Sequence, residues 1–463
     1  MSQNSVLNAP CEVRGAKNKE DLPGPSAKGP GPGVRVVRAG LFGYGRVNQA
    51  VAAVAEQSRA SLTAAGIDLR CVAALVRDLD RPRPAPPIAL TRDGWSLLAG
   101  AGGPLDPGAG GPMAPIDVAI EALGGVEPAC GLVAAALDAG IPVVSANKTL
   151  VAHHGLALAA LARERGVAFA YDAAVVAGVP CLGAIARRPL VAAATRIAGI
   201  INGTSHYIVT ELARGASFAA ALDRAVELGY AEPDSAADLS GRDAAEKLTI
   251  LLHLAGCRDL VVGDLSPLGL DVLDRDDLEG ARALGGTIKP IALASLEPDA
   301  AGAWVGPAFV PAAHAFARVG GVTNALQLTS AEGAAVTFSG PGAGPGVTAA
   351  TLIDDVVEAV DGGVRRSAAV AGQRAIRASA LRQPPPGAWF LRLRGLDALR
   401  ASDLAEFLAG RRLPAVQLQS IDGVWFARTV DARWDDVREA IAALRSLGGD
   451  VVALPALGED AGV

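Results

Sequence analysis

Cysteine is scarce in this sequence: five in 463 residues, scattered, with no CxxC pair. An odd and dispersed set supplies neither a disulfide framework nor a zinc site, and it suits a reducing cytoplasm. Long hydrophobic runs are missing as well. Although 51% of the residues are hydrophobic, no uninterrupted apolar run reaches the roughly 18 residues that a membrane span needs. The first 33 residues, MSQNSVLNAPCEVRGAKNKEDLPGPSAKGPGPG, lack the apolar core of a signal peptide and read as a Pro/Gly-rich disordered tail. Basic clusters are absent and the formal charge is −6, which argues against nucleic acid as the main partner.

What is present is enough chain for roughly two to four domains. From Val34, VRVVRAGLF is a β-rich run that ends at GYGRVN, and QAVAAVAEQ follows with helical character. LRCVAALV (69–76), IDVAIEAL and IPVVSAN are further strand candidates, interrupted by a Pro/Gly-rich loop (about 79–115) and the helical PACGLVAAALDAG. Apolar strands alternating with helices predict a parallel sheet covered on both faces, in a Rossmann-type pattern. Near residue 196 the texture changes to mixed helices and strands, up to SGPGAGPGVTAATLIDDVVEAV, a Gly-rich turn followed by a helix. After a linker ending in RQPPPG, six elements are expected: strand (388–394), helix (401–411), strand (414–420), strand (424–429), helix (434–447) and strand (450–454). That βαββαβ order matches small ferredoxin-like modules.

The turn GYGRVN suits a phosphate. Gly43 and Gly45 let the backbone approach a pyrophosphate, and the helix that follows presents free N–H groups. Asn48 stands where the third glycine of GxGxxG would fall. At the end of the second strand, an acid would accept ribose hydroxyls and an arginine would accommodate a 2′-phosphate. The chain offers VRDLDRPR there, so NAD and NADP both remain open, with Arg77 on the NADP side.

The acid-rich stretch GYAEPDSAADLSGRDAAEK runs from Gly229 to Lys247. In a helix starting near Gly241, Ser240 is a candidate N-cap with Asp243 closing a capping box. Asp243 and Lys247 would then be an exposed i,i+4 pair worth about 0.3–0.5 kcal/mol. The helical projection gives another reading. Arg242, Glu246, Thr249 and His253 share one stripe, expected to face solvent, while Asp243 and Lys247 head a stripe continued by Ile250, Leu251 and Leu254. Charges at the head of an apolar stripe are expected to be paired or functional, because an unpaired buried charge is costly. Lys148 in SANK follows a parallel strand, where α/β sheets bind ligands, although surface lysines occur there too. In NGTSHY, Asn202, Gly203 and Thr204 read as a polar turn or as groups for a nicotinamide amide or a substrate carboxylate. Cys181 has no basic neighbour in sequence and reads as core.

Taken in order, EALGGVEPACGLVAAALDAGIPVVSANKTLVAHHG, YDAAVVAGVP, GIINGTSHYI, ELGYAEPDSAADLSGRDAAEK and GPGAGPGVTAA resemble the homoserine dehydrogenase family, over about residues 34–360. The resemblance implies an α/β fold in parts. A Rossmann-type parallel-sheet NAD(P)-binding domain would span 34–185, completed by about 340–362. An α+β substrate-binding, catalytic and oligomerisation domain would span 186–339. A linker (363–387) would lead to an ACT-like, ferredoxin-like regulatory module (388–457), in which GLDALR replaces the usual acidic–x–Pro–Gly turn. By match, Lys148 and Lys247 are the two lysines of the reacting centre, Lys247 being the proton donor. Glu232 holds the substrate amine, Asp238 and Asp243 share the pocket, and Thr204 contacts substrate. Gly43, Tyr44, Gly45, Arg46, Val47, Asn48, Arg77, Asn147, Lys148 and Gly344 would hold NADP or NAD. Asp172, Val175, Ala177 and Val179 match a monovalent-cation (Na or K) site, with aspartate where the family usually has glutamate. His206 stands where asparagine is common.

The implied reaction interconverts L-homoserine and L-aspartate 4-semialdehyde, in threonine, methionine and isoleucine biosynthesis. A lysine ammonium can stabilise the developing alkoxide and donate its proton, and neighbouring carboxylates keep that lysine charged. In the oxidation direction a lysine must first be neutral, so activity should rise with pH. The resemblance also implies a homodimer or homotetramer and threonine as an effector. Two other readings compete: a non-catalytic amino-acid or nucleotide sensor, and a dehydrogenase of another small amino alcohol. The retained Lys148, Glu232, Asp238, Asp243 and Lys247 argue against the sensor.

Overall fold

The computed structural model describes residues 33–83, 88–98, 115–179, 181–187, 194–232, 234–297, 299–342, 344–361, 376–382, 384–396 and 399–458. Nearly all of the expected N-terminal tail and much of the 363–387 linker lie outside them. The chain forms two compact units, one of residues 1–187 with 344–371 and one of residues 188–343 with 372–463.

In the first unit, β1 (Arg35–Phe42), β2 (Ile67–Leu75), β3 (Ala89–Thr91), β4 (Val118–Glu121), β5 (Val143–Ser145) and β6 (Phe169–Ala170) make one sheet in the order β3-β2-β1-β4-β5-β6. Every neighbouring pair is parallel. Such strands are covered on both faces, which explains why β4 is buried at every position. The order reverses between β1 and β4, and open α/β sheets bind ligands in the crevice beyond the carboxyl ends at that switch point. Helix Arg46–Gln57 packs Val51, Ala52 and Ala55 into a core that Leu352, Ile353 and Val356 of helix Pro345–Val360 complete.

The second unit holds a nine-stranded sheet. Its strands are β7 (Arg196–Ile200), β8 (Gly286–Ser295), β9 (Gly302–Pro311), β10 (Thr323–Thr329), β11 (Ala335–Pro341), β12 (Ala388–Arg394), β13 (Ala415–Ile421), β14 (Val424–Thr429) and β15 (Asp450–Ala456). They run β11-β10-β7-β8-β9-β15-β12-β14-β13. Residues 388–456 have the expected βαββαβ order, with helices Ala401–Ala409 and Trp434–Ser446. They do not stand apart as a separate unit, however. β15 pairs with β9 at Ala456 and Phe309, and Phe390 stacks on Phe309 with ring centroids 5.8 Å apart. Gly280, in helix Arg275–Ala283, lies so close to Phe426 that a Cβ there would sit 2.2 Å from the ring. The buried Arg392 of β12 donates to Asp274 and Asp277 of that helix start at 2.6 Å each. Apolar stacking and a buried ion pair tie the module to the rest of the unit.

Candidate functional site

The first unit presents a nucleotide cradle. Gly43 has φ +87°, and a Cβ on it would stand 3.1 Å from the Ala122 carbonyl, so the turn after β1 needs glycine. Gly45 is the N-cap of helix Arg46–Gln57, no side chain caps that terminus, and a Cβ there would meet open space. Uncapped N–H groups at a helix start beside a switch point fit a pyrophosphate. Asn48, fully buried, sends its amide N–H groups to the carbonyls of Phe42 (3.2 Å), Gly43 (2.8 Å) and Ile120 (3.3 Å). It tethers the turn to both β1 and β4, a task that a glycine could not perform. Tyr44 is buried in the core, whereas Arg46 is exposed and Val47 half-buried. Arg77 is exposed just beyond β2. Gly344, at φ +128°, is the N-cap of helix Pro345–Val360.

Asn147 caps helix Lys148–Arg165 by accepting from Leu150 N–H at 3.1 Å, which makes Lys148 the first helical residue. The Asn147 amide N–H groups also reach Glu121 (3.1 Å) and the Gly125 carbonyl (2.7 Å). Sequence reasoning missed Glu121; the available signal was an acid ending an otherwise apolar strand at the ligand edge.

Three of the four expected cation ligands take a hydrogen bond on the oxygen concerned. Both oxygens of Asp172 accept the Gly183 N–H at 3.0 Å, inside helix Cys181–Arg187. The Ala177 carbonyl accepts the Thr351 hydroxyl, and the Val179 carbonyl accepts the Cys181 N–H at 2.7 Å. Val175 donates its N–H to the Asp172 carbonyl. Cys181 is fully buried and its thiol is pushed far up by burial, which agrees with a core role.

The second unit gathers the acid-rich stretch around one asparagine. Asn202 is the N-cap of helix Gly203–Ala213, its Oδ1 accepting from the Ser205 N–H (2.8 Å) and hydroxyl (2.5 Å). Its Nδ2 donates to Asp238 Oδ1 and Asp243 Oδ2, both at 2.7 Å. Two carboxylates fix which end of the amide is nitrogen. Asp243, buried, lies 2.8 Å from Lys247 Nζ, which also donates to the Ile201 carbonyl at 2.8 Å. Lys247 keeps 14% of its side-chain surface exposed. The group is thus a lysine held by a carboxylate and a carbonyl, with a second carboxylate sharing the asparagine. A fixed, charged and still reachable ammonium can stabilise an oxyanion and give it a proton. Asn202 therefore orients the two acids rather than meeting a ligand carboxylate or nicotinamide amide.

Other expected residues stand elsewhere. Glu232 is exposed. Thr204 donates its hydroxyl to the Tyr230 carbonyl at 2.6 Å, bracing the loop that carries Glu232. Lys148 belongs to the other unit. The solvent stripe expected on helix Arg242–Leu254 is absent: Arg242 is exposed, but Glu246, Thr249 and His253 are buried. The segment after the helix folds back over that side, where Leu260 accepts from His253 Nε2 at 2.8 Å. Nor does Ser240 cap the helix. Gly241 does, at φ +80°, without a side-chain bond.

His206 is fully buried, with Nδ1 3.0 Å from the Thr323 carbonyl and Nε2 3.3 Å from Lys289 Nζ. Nε2 also stands 3.2 Å from the Val319 carbonyl, so each ring nitrogen faces a backbone oxygen. Burial, then Lys289, pushes the imidazole down to about 4.

Comparison with known proteins follows the same division of the chain. The family model described as homoserine dehydrogenase matches residues 180–357, and that described as homoserine dehydrogenase, NAD binding domain, matches residues 43–172. A homoserine dehydrogenase of Corynebacterium glutamicum is 32% identical over 342 residues, covering 72% of this chain and 73% of that protein. An NAD(+)-dependent homoserine dehydrogenase of Pseudomonas canavaninivorans is 39% identical over 233 residues, covering 50% of this chain and 66% of that protein. The crystal structure of a homoserine dehydrogenase from Thiobacillus denitrificans superposes with a TM-score of 0.77 at 30% identity, covering 92% of this chain and 99% of that one.

Proposed function

The chain belongs to the homoserine dehydrogenase family and is an NAD(P)-dependent oxidoreductase, and we propose that Lys247 is its acid–base residue, held in place by Asp243 and Asn202. The observation that carries the proposal is the 2.8 Å ion pair of Lys247 with Asp243, set in a buried helix with the lysine tip still accessible. In the reduction of L-aspartate 4-semialdehyde, the Lys247 ammonium lies against the carbonyl oxygen, stabilises the alkoxide and gives it a proton. In the oxidation of L-homoserine the lysine starts neutral and accepts the hydroxyl proton. The nicotinamide, when bound, accepts or supplies the hydride. The pyrophosphate rests on the helix start at Gly43–Asn48, and Arg77 favours a 2′-phosphate. Lys148 and Glu232 take the substrate's polar groups, Glu232 pairing with the ammonium.

The assembly proposed is a homodimer or homotetramer in the cytoplasm. Two edges of the second sheet support it: β11 and β13 are exposed along most of their length, as unpaired edge strands are in a single copy. Threonine acting through the 388–457 module is proposed on the resemblance alone. Steady-state assay with L-homoserine and each nicotinamide nucleotide tests the whole reading. Turnover with another amino alcohol, and none with homoserine, would replace it.

A further inference from the structure

Glu121 is a buried carboxylate that the proposed chemistry does not use. Glu121 ends β4 with no exposed surface. It accepts the Ser145 hydroxyl at 2.5 Å, the Leu123 N–H at 2.8 Å and the Asn147 Nδ2 at 3.1 Å. Burial pushes the carboxyl above its ordinary range, while the hydrogen bonds from Ser145, Leu123, Asn147 and Gly124 pull it back. Its own backbone carbonyl takes the Ala146 N–H at 3.0 Å. Ser145 Oγ in turn accepts the Asn147 N–H at 3.1 Å.

These bonds all stand at the carboxyl edge of β4 and β5, where a parallel sheet meets its ligand. A single carboxylate therefore clamps the turn after β4 to the turn after β5. The second turn ends at Asn147, whose Oδ1 sets the first turn of the helix that Lys148 opens. Displacing the asparagine moves the start of that helix. Small misplacements of a reacting group cost large factors in rate.

We propose that Glu121 is a positioning residue that sets the place of Lys148 by holding Asn147 and Ser145. This rests on the assignment of Lys148 to the reacting centre, but the geometry can be tested without turnover. In Glu121→Gln one acceptor oxygen becomes an NH2 facing groups that themselves donate, so the clamp loosens while volume is kept.

The test is pH-dependent acylation of individual lysines, read by peptide mass spectrometry on the full chain without substrate. The expected result is a change of about fivefold or more in the Lys148 rate, with Lys247 and Lys289 moving less than about twofold, because only Lys148 is coupled to the clamp. In the assay, kcat should fall about tenfold or more while nucleotide Kd stays within about threefold. Lys148 labelling that is unchanged, or altered equally with Lys247 and Lys289, overturns the proposal. If Glu121→Gln does not fold, Ser145→Ala removes the 2.5 Å bond and is judged by the same criteria. A wild-type chain inactive on homoserine, yet with Lys148 labelling dependent on Glu121, would sink the functional assignment and leave this inference standing.

Discussion

Lys247 and Asp243 form a 2.8 Å ion pair one turn apart on a helix that is buried on both of its expected faces. An exposed pair of this spacing contributes only about 0.3–0.5 kcal/mol. In a buried setting the carboxylate instead decides whether the lysine is charged and where it points. Asp243→Asn should lower kcat about tenfold to a hundredfold, because the ammonium loses the carboxylate paired with it and keeps neutral acceptors such as the Ile201 carbonyl. Initial rates with L-homoserine check the outcome.

Asn202→Ala should remove the donor shared by Asp238 and Asp243 and the cap of helix Gly203–Ala213 together. A lost cap costs about 1 kcal/mol, and buried acceptors left unsatisfied cost about 1–3 kcal/mol more. Thermal denaturation should show the stability loss, and kcat should fall further than in a capping variant such as Ser217→Ala.

His206 makes stability depend on acid. Its folded imidazole is depressed to about 4 against an ordinary 6.5, so the contribution is complete above 6.5 and is lost as pH falls toward 4. The size is about 3 kcal/mol at most. Lys289, beside the ring and itself lowered to about 8 chiefly by burial, stays positive in that window, and its charge is part of what depresses the imidazole. His206→Asn should flatten the dependence of the melting temperature on pH between about 6.5 and 4.

Arg392→Met should destabilise the second unit by about 3–5 kcal/mol, since Asp277 would be left buried without its cation. Adding Asp277→Asn should recover part of the loss. Chemical denaturation of the single and double variants measures this, and one cooperative transition for the unit is expected because the module shares its core with β9.

The parallel sheet was legible because strands covered on both faces must be apolar throughout, as in the runs around β1 and β4. The βαββαβ order was legible in its alternating patterns and turns. What could not be read were contacts set by distant chain. The stripe of Glu246, Thr249 and His253 looks like a solvent face but is buried, with His253 meeting the Leu260 carbonyl from the segment that follows the helix. The fusion of the module to β9 depends on a single strand pairing and on Phe309, far away in sequence. Asn202 could be read either as part of a polar turn or as a ligand group, because its two acidic partners lie 36 and 41 residues away.

The most direct measurement is turnover of Lys247→Ala with L-homoserine and either nicotinamide nucleotide, alongside nucleotide binding by the same protein. The expected result is a loss in kcat of about 10²–10⁴-fold or more, with nucleotide Kd unchanged. Near-normal turnover in that variant would contradict the assignment of the proton to Lys247.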